Sequence, residues 1–408
     1  MPNDDTSFWL RLRDWKLNQL QNQMSSQNRI QNLRDDPIGA AHAVRFESKL
    51  TRLDRYEKNV SWVIDNNNYA DGYLKTATDV MQRVRELAVQ GANGTYTKSD
   101  RQKMGEEVNQ LLNELIQASN AHSPDGNTLF AGERTQSQAF RTLSGTVPGA
   151  SGNVVTNVMY TGTIGQNKVQ ISDGTTIPEN IPGNRAFWAE QQQIFSNVSA
   201  TSYQVQADSQ IAVDGKTINL KAGDNIYAII AKINNAGAGV KASLDPVKNS
   251  LVLETTTPHQ LWIQDVGSST VMQDLGIVDS ANGNPPHNIA SSARVSGGSL
   301  FDMVIALRNE LYQGNVIDIG GSGLKGIDAG LNNLLAARAQ LGSVNERLKL
   351  VHDQITHDIP EVTQQASRVT DIDMAKAITD LKMLEYTHQA ALQTAAKVLQ
   401  PTLMDYLR

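Results

Sequence analysis

Gly321, Gly323 and Gly326 in GSGLKG have the spacing of a dinucleotide turn, G-x-G-x-x-G. Such glycines let a turn approach a pyrophosphate at a helix N-terminus. The apolar run Val316-Ile317-Asp318-Ile319 stands before them as a strand would. That unit also requires a second parallel strand after its helix. Here the helical pattern continues instead to about residue 372, so the motif reads as a flexible connector between helices. GKT at 215–217 resembles the tail of a phosphate loop, but position 210 is Gln where the loop needs its first Gly. It reads better as the Asp214-Gly215 turn of a hairpin. His352 and His357 could suggest a metal site. Five residues along a helix turn them about 140° apart, which leaves them poorly placed to share one ion. HExxH is absent, and no Ser/His/Asp set is recognisable from order or spacing, although linear sequence can hide one. His388 lies near an apolar helical stripe, which suits an interface position better than a ligand. The expectation is a chain that is not an enzyme, with no catalytic, cofactor-binding or metal-binding residues and no cofactor.

Composition narrows the class further. The 408 residues suggest two to three domains, and only 39% are hydrophobic and 5% aromatic. Cores built from such a chain are narrow. The net charge of −6 argues against a nucleic-acid partner. No apolar run approaches the ~20 residues of a membrane span. The opening MPNDDTSFWLRLRDWKLNQL has acids where a secretory signal needs bases, and Arg11, Arg13, Asp14 and Lys16 where it needs an apolar stretch. Cys is absent, which removes disulfides, thiolate metal sites and Cys nucleophiles together.

The elements that would position any such groups are helical at both ends. From Phe46 the positions seven apart read Leu53, Val60, Asn67, Leu74, Met81 and Ala88, with Tyr56, Val63, Ala70, Ala77 and Val84 on a companion row. Near the other end Leu341, Leu348, Ile355, Val362 and Val369 repeat the spacing. A stripe of period 3.5 marks a helix packing along another helix. Leu53, Val60, Leu74, Met81, Leu341, Leu348 and Ile355 are therefore the expected heptad core of a rod made from both ends. Asn67 on such a row either fixes register or sits partly hydrated.

A first amphipathic helix spans roughly 8–34, and Pro37 breaks it, with Asp35 or Asp36 capping the long helix that begins near Ala40. Ser99 with Gln102 fits a capping box for the third helix. LFAG at 129–132 reads as a short strand. From 141 to 299 the character changes, with 16 of the 30 Gly and 7 of the 12 Pro. Alternating runs there read as strands, and Ile226, Ile229, Ile230 and Ile233 mark a helix among them. The order strand, turn, strand, helix, strand, strand over 210–265 makes a compact α+β module. Pro360 is expected to kink the last long helix or start a new one. The fold class is thus α+β: an elongated α-helical coiled-coil bundle from both ends, with a β-rich domain inserted in the middle. Residues 1–39 and 373–408 form the inner assembly domain, 40–140 and 300–372 the rod, and 141–299 the outer insert.

The outermost segments carry narrow stripes: Leu10, Leu17, Leu20 and Met24 at one end, and Ile378, Leu381, Leu384, Leu392, Val398, Leu399 and Leu403 at the other. A narrow stripe alone does not offset the entropy of ordering its helix. These ends are expected to fold on assembly, with the named residues as the interface.

Specific stretches then resemble a family. RIQNLRDDPIGAAHAVRFESKLTRLDRYEKNVSWVID (29–65) and RVRELAVQGANGTYTKSDRQKMGEEVNQLLNELIQASNAHSPDGNTLFAG (83–132) are similar to the N-terminal block of bacterial flagellins and their relatives. LNNLLAARAQLGSVNERLKL (331–350), TDIDMAKAITDLKMLEYTHQAALQTAAKVLQ (370–400) and MDYLR are similar to the C-terminal block. Asp35-Asp36-Pro37 and LFAG look like the hook-associated protein 3 branch, and the 210–265 module resembles an insert seen in many of these proteins. The first nine residues, Pro360 and Pro401 depart from the pattern. The resemblance implies a structural subunit exported without a cleaved signal by the flagellar type III apparatus. A cytosolic chaperone would hold its C-terminal helix. Outside, it would form a ring of identical subunits between hook-associated protein 1 and flagellin. The place implied is an external flagellum, or the periplasm where the flagellum is periplasmic. Filament flagellin, or a minor flagellin-like subunit, is the alternative.

Overall fold

A computed structural model describes residues 2–32, 34–279 and 283–398, with no side chain described at 2–6, 397 or 398. Helices occupy both ends of the chain: α1 Pro2–Ser26, α2 Pro37–Gly91 and α3 Lys98–Ser119 before the strands, then α7 Leu300–Gln313, α8 Val316–Asp318, α9 Leu324–Thr370 and α10 Met374–Val398 after them. The middle holds eleven described strands and the short helices α4 Gly183–Ala186, α5 Ile226–Asn235 and α6 Val271–Asp274. The chain divides into two compact units, Met1–Lys58 with Leu350–Arg408, and Asn59–Lys349.

Local chemistry explains the helix boundaries. Pro37 is the first residue of α2, where its missing N–H costs nothing, and Asp36 Oδ1 accepts the Gly39 amide at 2.8 Å as the cap. For α3 the capping box is Thr97 with Asp100, not Ser99 with Gln102. The helix starts two residues earlier than expected, because Thr97 Oγ1 reaches the Asp100 amide while Asp100 reaches back to Thr97. Ser299 and Asp302 form a second box at α7. Pro360 does not break α9, which stays helical through it. Thr356 and Pro360 are both exposed, so the carbonyl that loses its partner faces water. The break comes instead at 371–373.

In the Asn59–Lys349 unit the heptad rows of α2 are buried without exception from Val60 to Ala88, and Leu334, Leu341 and Leu348 of α9 are buried with them. Asn67 is 2% exposed and donates to Asn345 Oδ1 at 2.9 Å; Asn345 in turn donates to Asn68 at 3.1 Å. Of the two alternatives, the buried, paired one is realised. Asn67→Leu alone is expected to strand the Asn345 oxygen and cost about 1–3 kcal/mol, with Asn345→Leu added recovering most of it. Urea unfolding of the two variants checks this; an equal loss in both would contradict the pairing.

The core of this unit is densest where distant segments meet. Phe140 and Phe301 have ring centroids 4.9 Å apart, Phe301 stacks on Phe187 at 5.9 Å, and Phe130 meets Phe187 edge-on at 5.1 Å. Strands β1 (Phe140–Thr146) and β2 (Asn153–Tyr160) pair as a hairpin over this cluster. Arg308, fully buried, ties the hairpin to the helices: Nη1 donates to Asn109 Oδ1 at 3.0 Å and to the Val155 carbonyl at 2.8 Å. Burial pushes its guanidinium pKa down. LFAG is not a strand. Its amides and carbonyls pair singly with Ala121, Thr163 and Gly183 rather than along a ladder.

Strands β3 (Lys168–Ser172) and β4 (Thr175–Pro178) form a second hairpin. The rest of the insert builds two antiparallel sheets. β6 (Ser209–Val213), β7 (Lys216–Leu220) and β10 (Ile263–Val266) run in the order β10-β6-β7. β5 (Gln193–Ser199), β8 (Val240–Leu244), β9 (Ser250–Thr255) and β11 (Arg294–Ser296) run in the order β11-β5-β9-β8. The 210–265 elements form in the expected order, but their sheet and core extend beyond that range. β5 and β11 complete the second sheet, and Ile194, Val205, Met272 and Ile277 share the core with Ile229, Leu251 and Ile263.

Candidate assembly surface

Each chemistry-bearing motif finds a local structural role. Asp214 and Gly215 have φ of 45° and 76°, the paired positive angles of a two-residue hairpin turn, between Val213 and Lys216 of β6 and β7. GSGLKG has no strand before it: Val316–Asp318 is helical, and Ile319–Gly323 is one π-helical turn leading into α9. A Cβ at Gly323 would lie 2.8 Å from Glu310 Oε2, so any other residue there would push the Glu310 side chain aside. That buried oxygen has no hydrogen-bond partner, and burial, then Asp318, pushes the Glu310 carboxyl above the usual carboxylate range. Ionising it is therefore harder in the folded chain than in the unfolded one. Below the ordinary Glu pKa both states are protonated and no penalty exists; stability is lost as pH rises through the elevated value. Glu310→Gln is expected to be more stable than the parent at neutral pH, with the difference vanishing in acid. A pH series of thermal midpoints showing a constant difference would contradict this.

Sequence order did hide a Thr-His-Asp arrangement. His259 Nε2 lies 2.8 Å from Asp214 Oδ2, and Thr257 Oγ1 lies 3.2 Å from His259 Nδ1. The Thr257 carbonyl is nearer that nitrogen, at 2.8 Å, so the hydroxyl is not its best-placed neighbour. The imidazole and carboxylate are 4% and 3% exposed. Asp214 also accepts the Trp262 amide at 2.9 Å. The set therefore braces the turn of β6 and β7 against the segment entering β10. His352 does not join His357. The ligand atoms of Asp358 and Glu361 lie within 4.8 Å of His357 and of each other, on exposed or half-exposed side chains of one helix.

The surface of consequence lies on the terminal helices, within the unit formed by the two chain ends. α1 and α10 pair antiparallel. Arg29 N donates to Thr370 O at 2.7 Å and Ile372 N to Gln27 O at 3.0 Å, and further along Arg13 Nη1 reaches the Thr387 carbonyl at 3.0 Å. His388 Nε2 stands 3.3 Å from Asp14 Oδ1, which places His388 at an interface position. Leu10, Leu17, Leu20 and Met24 are half-buried at alternating spacings of seven, three and four, with Arg13 between them. On α10 the buried Ala377 and Ala395 and the half-buried Leu381, Leu384, His388 and Ala391 alternate by four and three.

The structure divides the expected interface residues accordingly. Leu381 and Leu384 belong to the intrachain seam. Ile378 and Leu392, each 47% exposed, do not. With Met374 they fall within about 40° of one another on the helix, about 60° (Met374, Leu392) to 100° (Ile378) from the centre of the seam. The Val398 side chain, Leu399 and Leu403 lie outside the described residues. α1 carries a matching exposed face that the heptad reading passed over: Phe8, Trp9 and Trp15 are 55%, 57% and 47% exposed. Phe8 and Trp15 stand seven apart with Leu12 between, a spacing visible in the sequence. Leu53, Ile355 and Val362 are buried in the same unit.

The terminal helices pair with each other and leave large apolar side chains exposed on their outer faces, as a structural subunit rather than a catalyst would. Comparisons with known proteins give the family. The bacterial flagellin N-terminal helical region matches residues 10–135, the flagellin C-terminal helical region residues 324–407, and the flagellin hook IN motif residues 209–257. Flagellin A of Vibrio cholerae is 25% identical over 396 residues, covering 94% of this chain and 91% of its own length. Flagellin B of Vibrio anguillarum is 25% identical over 381 residues, covering 92% and 89%. Among solved structures, flagellar hook-associated protein 3 of Legionella pneumophila covers 79% of this chain and 98% of its own, with 14% identity and a TM-score of 0.48. The flagellar junction protein of the same organism covers 81% and 100%, with 15% identity and a TM-score of 0.46. The chain belongs to the bacterial flagellin family. It is a structural component of the flagellum, and these relatives give no support to the periplasmic alternative. Among the described residues no helix is long and apolar enough to cross a membrane.

Proposed function

We propose that the chain is the hook–filament junction subunit of the bacterial flagellum, the hook-associated protein 3 of its cell. The observation that carries the assembly part is the unpartnered apolar surface of α1 and α10, with Phe8, Trp15, Ile378 and Leu392 facing outward. Covering the exposed half of each such side chain stabilises by about 0.7–1.5 kcal/mol, so a ring of subunits gains what one subunit lacks. Asp35-Asp36-Pro37, LFAG and the final MDYLR support the junction branch within the family. On this reading the subunit leaves the cell through the flagellar type III system, its C-terminal helix held beforehand by a cytosolic chaperone. It then closes a ring of identical subunits with hook-associated protein 1 on one side and flagellin on the other. The likeness of nearly the whole chain to Vibrio flagellins supports a second reading, a filament flagellin or minor flagellin-like subunit. Electron microscopy of cells lacking the chain separates them. Bare hooks with flagellin monomer in the culture fluid are expected; intact filaments would overturn the junction role.

A further inference from the structure

We propose that Asn93 is a modification site, where the chain converts its own Asn-Gly step to aspartyl and isoaspartyl forms with loss of ammonia. Asn93 and Gly94 lie in the exposed corner between α2 and α3. The nucleophile is the Gly94 amide, which donates to no protein group among the described residues. A Cβ added at Gly94 would meet nothing within 4 Å, so the corner around it is open. A glycine in that place leaves the path to the preceding side chain free, where a Cβ would crowd it. The electrophile is Asn93 Cγ. Its Oδ1 accepts the Thr95 amide and the Thr95 hydroxyl, each at 3.1 Å. A main-chain N–H faces only the oxygen end of a carboxamide, so that contact fixes Nδ2 as the other end, the leaving nitrogen. Two donors on the oxygen that becomes negative are the arrangement that stabilises a tetrahedral oxyanion.

Gly94 N forms a bond to Cγ and gives its proton to water. The oxyanion on Oδ1 collapses, the Cγ–Nδ2 bond breaks, and Nδ2 takes a proton from water and leaves as ammonia. Water then opens the succinimide. Opening at Cγ gives Asp; opening at the main-chain carbonyl carbon gives isoaspartate and frees that carbon as a carboxylate. Arg101 bears on this choice. It is 6% exposed; its Nη2 donates to the Asn93 main-chain oxygen at 3.0 Å and its Nε to the Gly91 carbonyl at 2.8 Å. A guanidinium on that oxygen polarises the main-chain carbonyl and pairs the carboxylate formed there, so isoaspartate is favoured. The corner then gains a negative charge and an extra main-chain carbon beside the side chain that ties α3 to the end of α2. The chemistry needs no partner and is the same at a junction or along a filament.

Incubation of the intact, folded chain at neutral pH, followed by mass spectrometry of the tryptic peptide Glu86–Lys98, tests this. The same synthetic peptide free in solution is the control. Exchange of NH2 for OH at Asn93 is expected to run faster in the folded chain than in the peptide, with a larger share of isoaspartate. Thr95→Val removes the hydroxyl donor and keeps the amide, and is expected to slow the conversion at least about tenfold. Gly94→Ala is expected to abolish it; the new Cβ has open space and the Gly94 φ lies outside the left-handed region, so the fold is kept. Helical circular dichroism of both variants should match the parent. Conversion slower in the folded chain than in the free peptide, or equal in parent and Thr95→Val, would overturn the site. A product ratio equal to that of the free peptide would overturn the part assigned to Arg101.

Discussion

Subunits carrying Ile378→Asp with Leu392→Asp are expected to stay folded and fail to assemble. Both side chains are 47% exposed and lie off the α1–α10 seam, so an acid at either position meets water in the isolated subunit. On the proposed assembly the same positions face apolar surface. Both side chains are already about half covered, so losing the burial that assembly adds removes about 1.5–3 kcal/mol per subunit for the pair, and stranding two carboxylates adds to that. Incorporation into flagella should fall by at least about a hundredfold. The helical circular dichroism and the thermal midpoint of the monomer should be unchanged. Leu381→Asp with Leu384→Asp is the contrasting pair, because those residues close the intrachain seam. That variant should lose helix at both ends as well as assembly. Incorporation of Ile378→Asp/Leu392→Asp at the parent level would show that this flank of α10 touches nothing.

Phe301→Ala should be the most destabilising single substitution in the Asn59–Lys349 unit. The ring contacts Phe140 at 4.9 Å and stacks on Phe187 at 5.9 Å, with no exposed surface. Removing it leaves a cavity where β1, α4 and α7 converge, and cores that cannot collapse lose about 3–5 kcal/mol on such a change. Denaturant unfolding followed by near-ultraviolet circular dichroism reads the loss. A change below about 1 kcal/mol would mean that the surrounding segments close over the gap.

The parts of the fold visible in the sequence are those fixed by local periodicity. Leu53 to Ala88 could be read because a 3.5-residue period constrains one face of one helix. The Asp214-Gly215 turn could be read because two adjacent positive φ angles admit few residue types. The phenylalanine cluster was invisible, since positions 130, 140, 187 and 301 share no local pattern and meet only through tertiary packing. The same holds for Asp214 and His259, 45 residues apart. The small residues of the α10 seam were harder to read for a different reason. A stripe ranked by hydrophobicity gives Ile378 and Leu392 more weight than Ala377 and Ala391, which are turned from solvent on the α1-facing side. Of the two outcomes expected at Pro360, a new helix does not start there, because the rule against proline in helices weakens where that side of the helix is exposed to water.

The central claim is a position, the single boundary between hook and filament. Immunogold labelling of intact flagella with antibody raised against the 141–299 insert tests it most directly. The junction assignment predicts gold confined to one narrow band where the hook ends and the filament begins. Gold distributed along the filament would contradict it and identify the chain as a filament subunit.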